Sequence, residues 1–548
     1  MKKDLLILLI LILPSFALLS QKGYFSMHDD LQAFRQLELN KCFQDGQIPC
    51  RWVPDMGYGF GYPLFNYYPP LPYLIGQPFV WLGFQYIDVV KVVGIFGFIV
   101  TALNMYLLAR EFWGRWGGFV SAAFYTYAPY HSVDFWVRAA VNEFWAMAFY
   151  PLIFWTTYRL IKDQKTKWIP FVSLSVAALM LSHNPMLMIF TPVLILWCLF
   201  WLAKFRSVRS IRNLFLAVLW SLGLAAFFTL PVIFETKYVS VWTLTSGYFN
   251  YLAHFLDLKQ IFLNINWGYG SSILGPADTM SFALGFLYWI VPILVLLFIF
   301  SKKFVNHKSL IIILVLITLG ALFMSHSKST PIWLVLKPLE FLQFPWRFLT
   351  LAVFTASFLS GAIMMATNKK IFVPLIISLL IFMNGNYFRP REWYPSMTDA
   401  QKFSGKSWQL LVTSGIFDYL PIYAPAPPAD PVGADLNISQ GLGTFIRIIK
   451  TSNLQKYSLD ITSPQSLVEL QTYYFPGWRY WIDGAEVKNY NLDPLLGRPQ
   501  LSLPTGRHEI VAKFTNTPIR TLGNTLSLIS WSLLLLSFNR KISIWMRK

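Results

Sequence analysis

The sequence predicts a polytopic α-helical membrane protein with a β-rich extracytoplasmic domain near its C-terminus. Three observations predict it. Of 548 residues, 55% are hydrophobic and only 13% are charged, about half the charged share of soluble chains. Long apolar runs recur up to about residue 386 and once more near the end, as membrane spans do. Between the last two runs stands a long polar stretch with strand-like alternation.

In chain order, apolar runs at 4–20, 88–108, 116–132, 142–160, 168–183, 186–203, 213–232, 283–301, 309–325, 347–366, 371–386 and 521–538 predict about twelve spanning helices. Most are close to the ~20 residues a bilayer requires. The first run, with Lys2 and Lys3 ahead of it, has the form of a signal peptide, but no A-x-A-like site follows. It is therefore expected to be an uncleaved anchor. Every second connection is basic: Lys2 and Lys3; Arg110 and Arg115; Arg159, Lys162, Lys165 and Lys167; Lys204, Arg206, Arg209 and Arg212; Lys302, Lys303 and Lys308; Lys369 and Lys370; and Arg540, Lys541, Arg547 and Lys548. The positive-inside rule then places both termini in the cytoplasm. On that reading the net charge of +19 records orientation in a membrane, and no nucleic-acid partner is expected. The apolar run 71–84 would upset the alternation if it spanned. Its prolines and aromatics suit a helix lying at the outer interface.

Three large pieces fall on the outer side: an opening loop, 21–87, a middle loop, 233–282, and the polar region 387–520. The expected division is a transmembrane domain over 1–386, an extracytoplasmic β-rich domain over 387–520, and a last span with a basic cytoplasmic tail over 521–548. In "YYFPGWRYWIDGAEV" and "LPTGRHEIVAKF" the residues alternate as strands do, and Asp483-Gly484 reads as a hairpin turn. No internal repeat or low-complexity tract is present.

This topology gathers scattered polar residues onto one side. The opening loop gives His28, Asp29, Asp30, Arg51 and Asp55; the next outer connection, "PYHSVDFWVRAAVNEFWA", gives His131, Asp134, Arg138 and Glu143; "SHNP" gives His183 and Asn184; the middle loop gives Glu235, His254 and Asp257; and "LQFPWRFL" gives Arg347. Ionisable groups at a membrane edge are costly and are paired or functional. Taken singly, each has a plain structural reading: Arg138 and Glu143 as a buried ion pair, Arg347 as a snorkelling side chain, His183 as an interfacial histidine. Aromatic abundance fits an interfacial belt as well as sugar stacking. Asp29 and Asp30 resist that treatment. They open an amphipathic stretch with Leu31, Phe34 and Leu37 on one side and Asp29, Gln32 and Arg35 at helical spacing on the other. One helix needs one N-cap, which leaves the second carboxylate unexplained. Cys42 and Cys50 share the opening loop and are read equally as a disulfide or as two free thiols. Cys198 lies in an apolar run.

Carboxylates at a membrane surface can act as general base on an acceptor hydroxyl or hold Mg²⁺ or Mn²⁺. Glycosyl transfer from a lipid-phosphate donor uses either device. Its anomeric carbon gains oxocarbenium character, and its phosphate leaving group calls for Arg or Lys. Arg51, Arg138 and Arg347 are the outer candidates. No Gly-rich phosphate loop ending in Lys-Ser or Lys-Thr is present, which speaks against ATP use, and the seven histidines form no zinc pattern.

The ordered series "MHDDLQAFRQ", "GQIPCRWVPDMGYGFGYPLFNYYPPLPY", "YLLAREFWGRWGG", "YAPYHSVDFWVRAAVNEF", "LSHNP", "WGYGSS" and "LQFPWRFL" resembles the bacterial membrane proteins called 6-pyruvoyl-tetrahydropterin synthase-related. The likeness extends to about residue 390. The soluble pterin enzyme behind that name is a small zinc protein, and this chain lacks the histidine cluster such a site needs. The layout also resembles the GT-C glycosyltransferases, in which an acidic residue just after the first helix serves catalysis. By that resemblance Asp29, or the adjacent Asp30, is the expected base or metal ligand. Met27 departs from the Gly of the family's Gly-His-Asp start. "YYPPLPYLIG" stands where those enzymes carry a "PPLYY"-like turn, and the tail is similar, over a shorter stretch, to another GT-C-like bacterial family. The resemblance implies a membrane glycosyltransferase in the bacterial cytoplasmic membrane. It would move a sugar from a polyprenyl-phosphate donor to a glycan, lipid or protein acceptor on the outer face. His28, Arg51, Asp55, His131, Asp134, Arg138, Glu143, His183, Glu235, His254 and Arg347 are the expected substrate-binding candidates. Two other classes compete. A transporter or flippase for lipid-linked saccharide requires polar residues in mid-helix, and few are present. A non-catalytic polysaccharide scaffold would leave Asp29 dispensable.

Overall fold

The computed structural model describes residues 2–264, 266–273, 278–367, 369–415 and 417–546, with side chains to 537. Arg547 and Lys548 of the expected basic tail lie outside the described residues. In chain order the longer helices are α1 (Lys2–Phe16), α2 (Gln32–Gln44), α3 (Leu71–Trp81), α4 (Tyr86–Thr126), α5 (Val141–Asp163), α6 (Ile169–Met180), α7 (Asn184–Phe205), α8 (Val208–Glu235), α9 (Leu287–Leu297), α10 (Lys308–Ser325), α11 (Leu349–Ser360), α12 (Phe372–Asn384), α13 (Gly405–Thr413) and α14 (Pro518–Met546).

The protein is a polytopic α-helical membrane protein. Among the described residues, seven helical stretches are long and apolar enough to cross a membrane, the longest being α4. The runs expected at 168–183, 283–301 and 371–386 form shorter apolar helices. Those expected at 88–108 and 116–132 are joined in α4, broken at Gly114, whose φ of 73° and ψ of −179° are not helical. Glycine adopts that conformation without Cβ strain, so the turn falls inside the basic connection Arg110–Arg115 read from sequence. Asp4 of α1 meets Arg110 at 3.2 Å and Arg115 at 2.7 Å.

The chain forms two compact units. The first comprises Met1–Gln32, Ile87–Leu222 and Leu244–Met397. Here α5 packs on α6 and α7, and α11 packs on α9 and α10. Aromatic rings fill these seams: Tyr150 stacks on Phe190 and Phe154 on Trp197, each with centroids 4.2 Å apart. Two glycines of α4 admit rings from the following connection and from the first turn of α5. A Cβ at Gly94 would fall 2.1 Å from Phe135 Cζ, and one at Gly97 would fall 2.3 Å from Phe144 Cε1. The opening loop is tied down at its start, where the Lys91 ammonium donates to the carbonyls of Gln21 and Gly23, both at 2.8 Å. Tyr24–Phe25 then pairs antiparallel with Trp393–Tyr394.

The second unit comprises Ala33–Tyr86, Gly223–Thr243 and Thr398–Lys548. Its centre is a seven-stranded antiparallel sheet of β1 (Leu436–Gln440), β2 (Gly443–Lys450), β3 (Leu454–Leu470), β4 (Trp478–Ile482), β5 (Ala485–Val487), β6 (Asn491–Leu492) and β7 (Pro499–Phe514), in the order β1-β3-β7-β4-β5. β2 also pairs with β3, and β6 with β7. Asp483 and Gly484, with φ of 49° and 81°, turn β4 into β5 as two-residue hairpins do. Tyr457, Leu459, Ile461, Leu501, Leu503 and Ile510 alternate into the core. Trp52 joins them from the opening loop, 5.8 Å from Phe475 and 5.7 Å from Phe514, and Cys42 is bonded to Cys50.

The expectation that α2 shows one polar face to its surroundings is corrected. Gln32, Arg35, Gln36, Glu38 and Asn40 are all buried. Within the second unit the polar groups meet partners instead of water: Gln36 Nε2 donates to Gln77 Oε1 at 3.0 Å, Gln77 Nε2 to Asn40 Oδ1 at 2.8 Å, and Arg35 to the Tyr68 hydroxyl at 3.1 Å. Helix α3, the run 71–84 of the sequence reading, supplies Gln77, and satisfied amides of this kind are cheap to bury.

Candidate functional site

The site is built in the first unit from the loop between α4 and α5. Its residues 133–140 fold back on themselves: Arg138 N donates to Val133 O at 2.8 Å and Ala140 N to Asp134 O at 2.7 Å, with Ala139 at a φ of 55°. The turn brings Asp134, Arg138 and Glu143 together. Arg138 donates to Asp134 Oδ1 at 2.5 Å and to Glu143 Oε2 at 3.2 Å. Arg347, on the segment entering α11, donates through Nε to the same Glu143 oxygen at 3.1 Å, and the Tyr130 hydroxyl donates to Glu143 Oε1 at 2.5 Å. The Arg138 guanidinium lies 4.5 Å from the Trp346 ring centroid. Burial, and then the charge of Glu143, push the Asp134 carboxyl well above the usual carboxylate range, against the pull of Arg138.

The acidic loop docks on this turn through its main chain. His28 N donates to Val137 O at 3.0 Å and Asp29 N to Arg138 O at 3.1 Å. His28 Nε2 lies 2.8 Å from Tyr269 O. Gln32 Nε2 donates to Ala139 O at 2.6 Å and reaches Asp29 Oδ2 at 3.5 Å. His28 is exposed, and Asp29 and Asp30 are half-buried, with Asp30 Oδ1 itself out of contact with solvent, beside a turn whose acids are buried.

The structure therefore brings together the side chains of Asp134, Arg138, Glu143 and Arg347 and seats the main chain of His28 and Asp29, followed by Asp30, on the same turn. The other candidates of this unit sit otherwise. His131 is fully buried, edge-on to Tyr125 and Phe144. His183 caps α7 by accepting from Met186 N at 3.3 Å, next to Asn184, and lies within electrostatic reach of Glu143, Arg347 and Arg138. His254 is buried, 2.8 Å from Ser272 Oγ and 2.6 Å from Tyr248 O. Asp257 forms a capping box with Gln260.

Arg51, Asp55 and Glu235 belong to the second unit. Arg51 Nη2 donates to Phe227 O at 2.9 Å and to Asn524 Oδ1 at 2.7 Å. Glu235 accepts from Arg520 Nε at 2.8 Å and from Asn66 at 2.9 Å. Burial, and then the nearby Arg520 charge, lower Arg51 to about 9. Asp55 pairs with Lys41. Sequence reasoning passed over Tyr130, Trp346 and Gln343, the last of which accepts from Arg347 at 3.0 Å. All three lie inside or beside the quoted motifs, and charge was the signal followed there.

Among the described residues no group of three His, Cys, Asp or Glu side chains converges as a metal site. Asp29 and Asp30 offer adjacent oxygen ligands of the kind Mg²⁺ takes one or two of while keeping its waters.

The family model described as 6-pyruvoyl-tetrahydropterin synthase related domain, a membrane protein, matches residues 65–390. An uncharacterized protein of Lactococcus lactis subsp. cremoris (strain MG1363) is 24% identical over 323 residues, covering 56% of this chain and 49% of the relative. The chain thus spans about half that relative's length. Arabinofuranosyltransferase AftD from Mycobacteria superposes with a TM-score of 0.45 at 11% identity, covering 72% of this chain and 27% of that one. The archaeal oligosaccharyltransferase AglB from Archaeoglobus fulgidus, solved with an inhibitory peptide and a dolichol-phosphate, gives a TM-score of 0.40 at 11% identity, covering 74% and 56%.

Proposed function

The chain belongs to the 6-pyruvoyl-tetrahydropterin synthase-related family of membrane proteins, and from that premise we propose that it is a GT-C-type glycosyltransferase of the bacterial cytoplasmic membrane. It moves a sugar from a polyprenyl-phosphate donor to a glycan, lipid or protein acceptor on the extracytoplasmic face, both termini being cytoplasmic. One observation carries the reading: main-chain bonds from His28 and Asp29 to Val137 and Arg138 hold the half-buried Asp29, with Asp30 next to it in sequence, against a guanidinium-bearing turn. The likeness of "MHDD" after the first apolar run to the acidic start of GT-C enzymes supports it.

In this mechanism Asp29 accepts the proton of the acceptor hydroxyl, with Asp30 as the alternative base. The hydroxyl oxygen bonds to the anomeric carbon, the bond from that carbon to the phosphate oxygen breaks, and polyprenyl phosphate leaves. Arg138 keeps an exposed edge beside its bonds to Asp134 and Glu143, and a departing phosphate takes up donors of that guanidinium. A bound Mg²⁺ or Mn²⁺ would be held by Asp29 and Asp30 and would offset phosphate charge. The test is release of polyprenyl phosphate by the purified chain in vesicles, with a mixed pool of polyprenyl-phosphate sugars and envelope acceptors. Wild type releases it, and Asp29→Asn or Asp30→Asn does not while remaining folded. EDTA sensitivity assigns the metal. Release by both Asn variants at the wild-type rate sinks the reading.

A further inference from the structure

We propose that a cleft of the second unit, bounded by Lys41, Asp55, Tyr58, Trp408, Arg447 and Lys450, binds a neutral sugar residue of a glycan. The inference stands apart from glycosyl transfer and uses none of the groups given a role in the transfer step above; Asp55, one of the substrate-binding candidates expected from sequence, is a wall of this cleft.

The cleft encloses about 430 Å³, within the ~300–1,000 Å³ of small-molecule pockets. Its walls come from distant segments that are hydrogen-bonded to one another. Tyr58 N donates to Val412 O at 3.1 Å, Val432 N to Tyr58 O at 2.8 Å, and Ser452 N to Asp45 Oδ2 at 2.7 Å. Gly59, at a φ of +81°, lets Val432 approach so closely that a Cβ would fall 2.6 Å from Val432 Cγ1. Walls tied in this way are preorganised, which lowers the cost of binding.

The lining chemistry selects the ligand. Trp408 is half-buried and braced edge-on by Phe34 at 5.3 Å and Phe403 at 6.5 Å. An indole fixed by its neighbours is a platform for the C–H face of a sugar ring, whose weakly positive hydrogens meet the negative π face. Around it stand three cations, each already opposed by a carboxylate. Lys41 pairs with Asp55 and lies 3.6 Å from Glu38, while Asp435 holds both Arg447 and Lys450 at 2.9 Å. Asp45 also lines the cleft, so with Asp55 and Asp435 three carboxylates balance the three cations and an anionic ligand meets no net positive charge. A sugar hydroxyl, donor and acceptor at once, can accept from an ammonium and donate to the paired carboxylate without displacing either. Burial, and then the charge of Asp55, push Glu38 well above the usual carboxylate range, which keeps Asp55 as the acceptor.

The test is saturation-transfer NMR on the detergent-purified full chain, without donor. The probes are neutral trisaccharides of glucose, galactose, mannose, rhamnose and N-acetylglucosamine, and inorganic pyrophosphate is the anionic probe. At least one trisaccharide is expected to bind. Trp408→Ala should weaken it about tenfold, Trp408→Tyr should largely keep it, and Lys450→Gln, at a half-exposed position, should reduce it. Because no transfer is measured, a chain that is not a glycosyltransferase still answers. Binding of no trisaccharide, binding of pyrophosphate alone, or unchanged affinity in Lys450→Gln and a folded Trp408→Ala overturns the proposal.

Discussion

Each unit buries a knot of two arginines, and the two knots differ in access. In the second unit Arg51 and Arg520 are 2% and 0% exposed. Arg520 pairs with Glu235, Arg51 donates to Asn66, Asn524 and the Phe227 carbonyl, and Arg51 Nε and Arg520 Nη2 stay buried without a hydrogen-bond partner among the described residues. In the first unit Arg138 keeps 12% of its side chain exposed, its turn also carries the main-chain bonds of the acidic loop, and the carboxylates beside it are half-open. Buried charge alone therefore does not mark a working site in this protein. Burial closes off the one knot, while in the other Arg138 keeps an exposed edge.

Three substitutions test that contrast. Asp29→Asn should lower sugar transfer by about 10²–10⁴-fold, the range for loss of a general base, with an unchanged melting temperature. A parallel fall in melting temperature would reduce the carboxylate to a helix cap. Arg520→Ala should do the reverse, costing about 3–5 kcal/mol of stability because Glu235 is left buried without its partner. Thermal denaturation in detergent measures it, and a stable but inactive variant would move the site to this knot. Glu38→Gln should act through pH. The native Glu38 carboxyl is raised above its unfolded value, so between the two values the native state holds a proton that the unfolded chain has lost. Stability therefore falls as pH rises above ~4.5, by at most about 1.4 kcal/mol per pH unit. The Gln variant should show a shallower slope in melting temperature against pH, and identical slopes would mean that Glu38 is ionised in the fold.

The sequence made legible whatever depends on local pattern. Apolar runs gave the helices. Alternation in "YYFPGWRYWIDGAEV" gave β4 and β5 with their turn at Asp483-Gly484, and the basic connection after 108 contains the break at Gly114. It hid what depends on partners far along the chain. Arg520 is not among the residues singled out from sequence, because its partner Glu235 stands 285 residues earlier. The polar residues of α2 gave the spacing of a surface helix because nothing local signals that Gln77 waits to bond Gln36 and Asn40. At the candidate site, the acids and arginines were visible as types. Their grouping was not, because it rests on rings seated against Gly94 and Gly97 and on a turn held by main-chain bonds.

Those main-chain bonds bear on how the protein can change over time. The placement of Asp29 is written in amides and carbonyls of residues 28, 29, 137 and 138, groups that nearly every residue type possesses. Side chains at 27 and 28 can thus change without removing those bonds, whereas Val137 is also held by its burial, and the carboxylate keeps its address. Proline, which lacks the amide, is the residue that positions 28 and 29 should refuse.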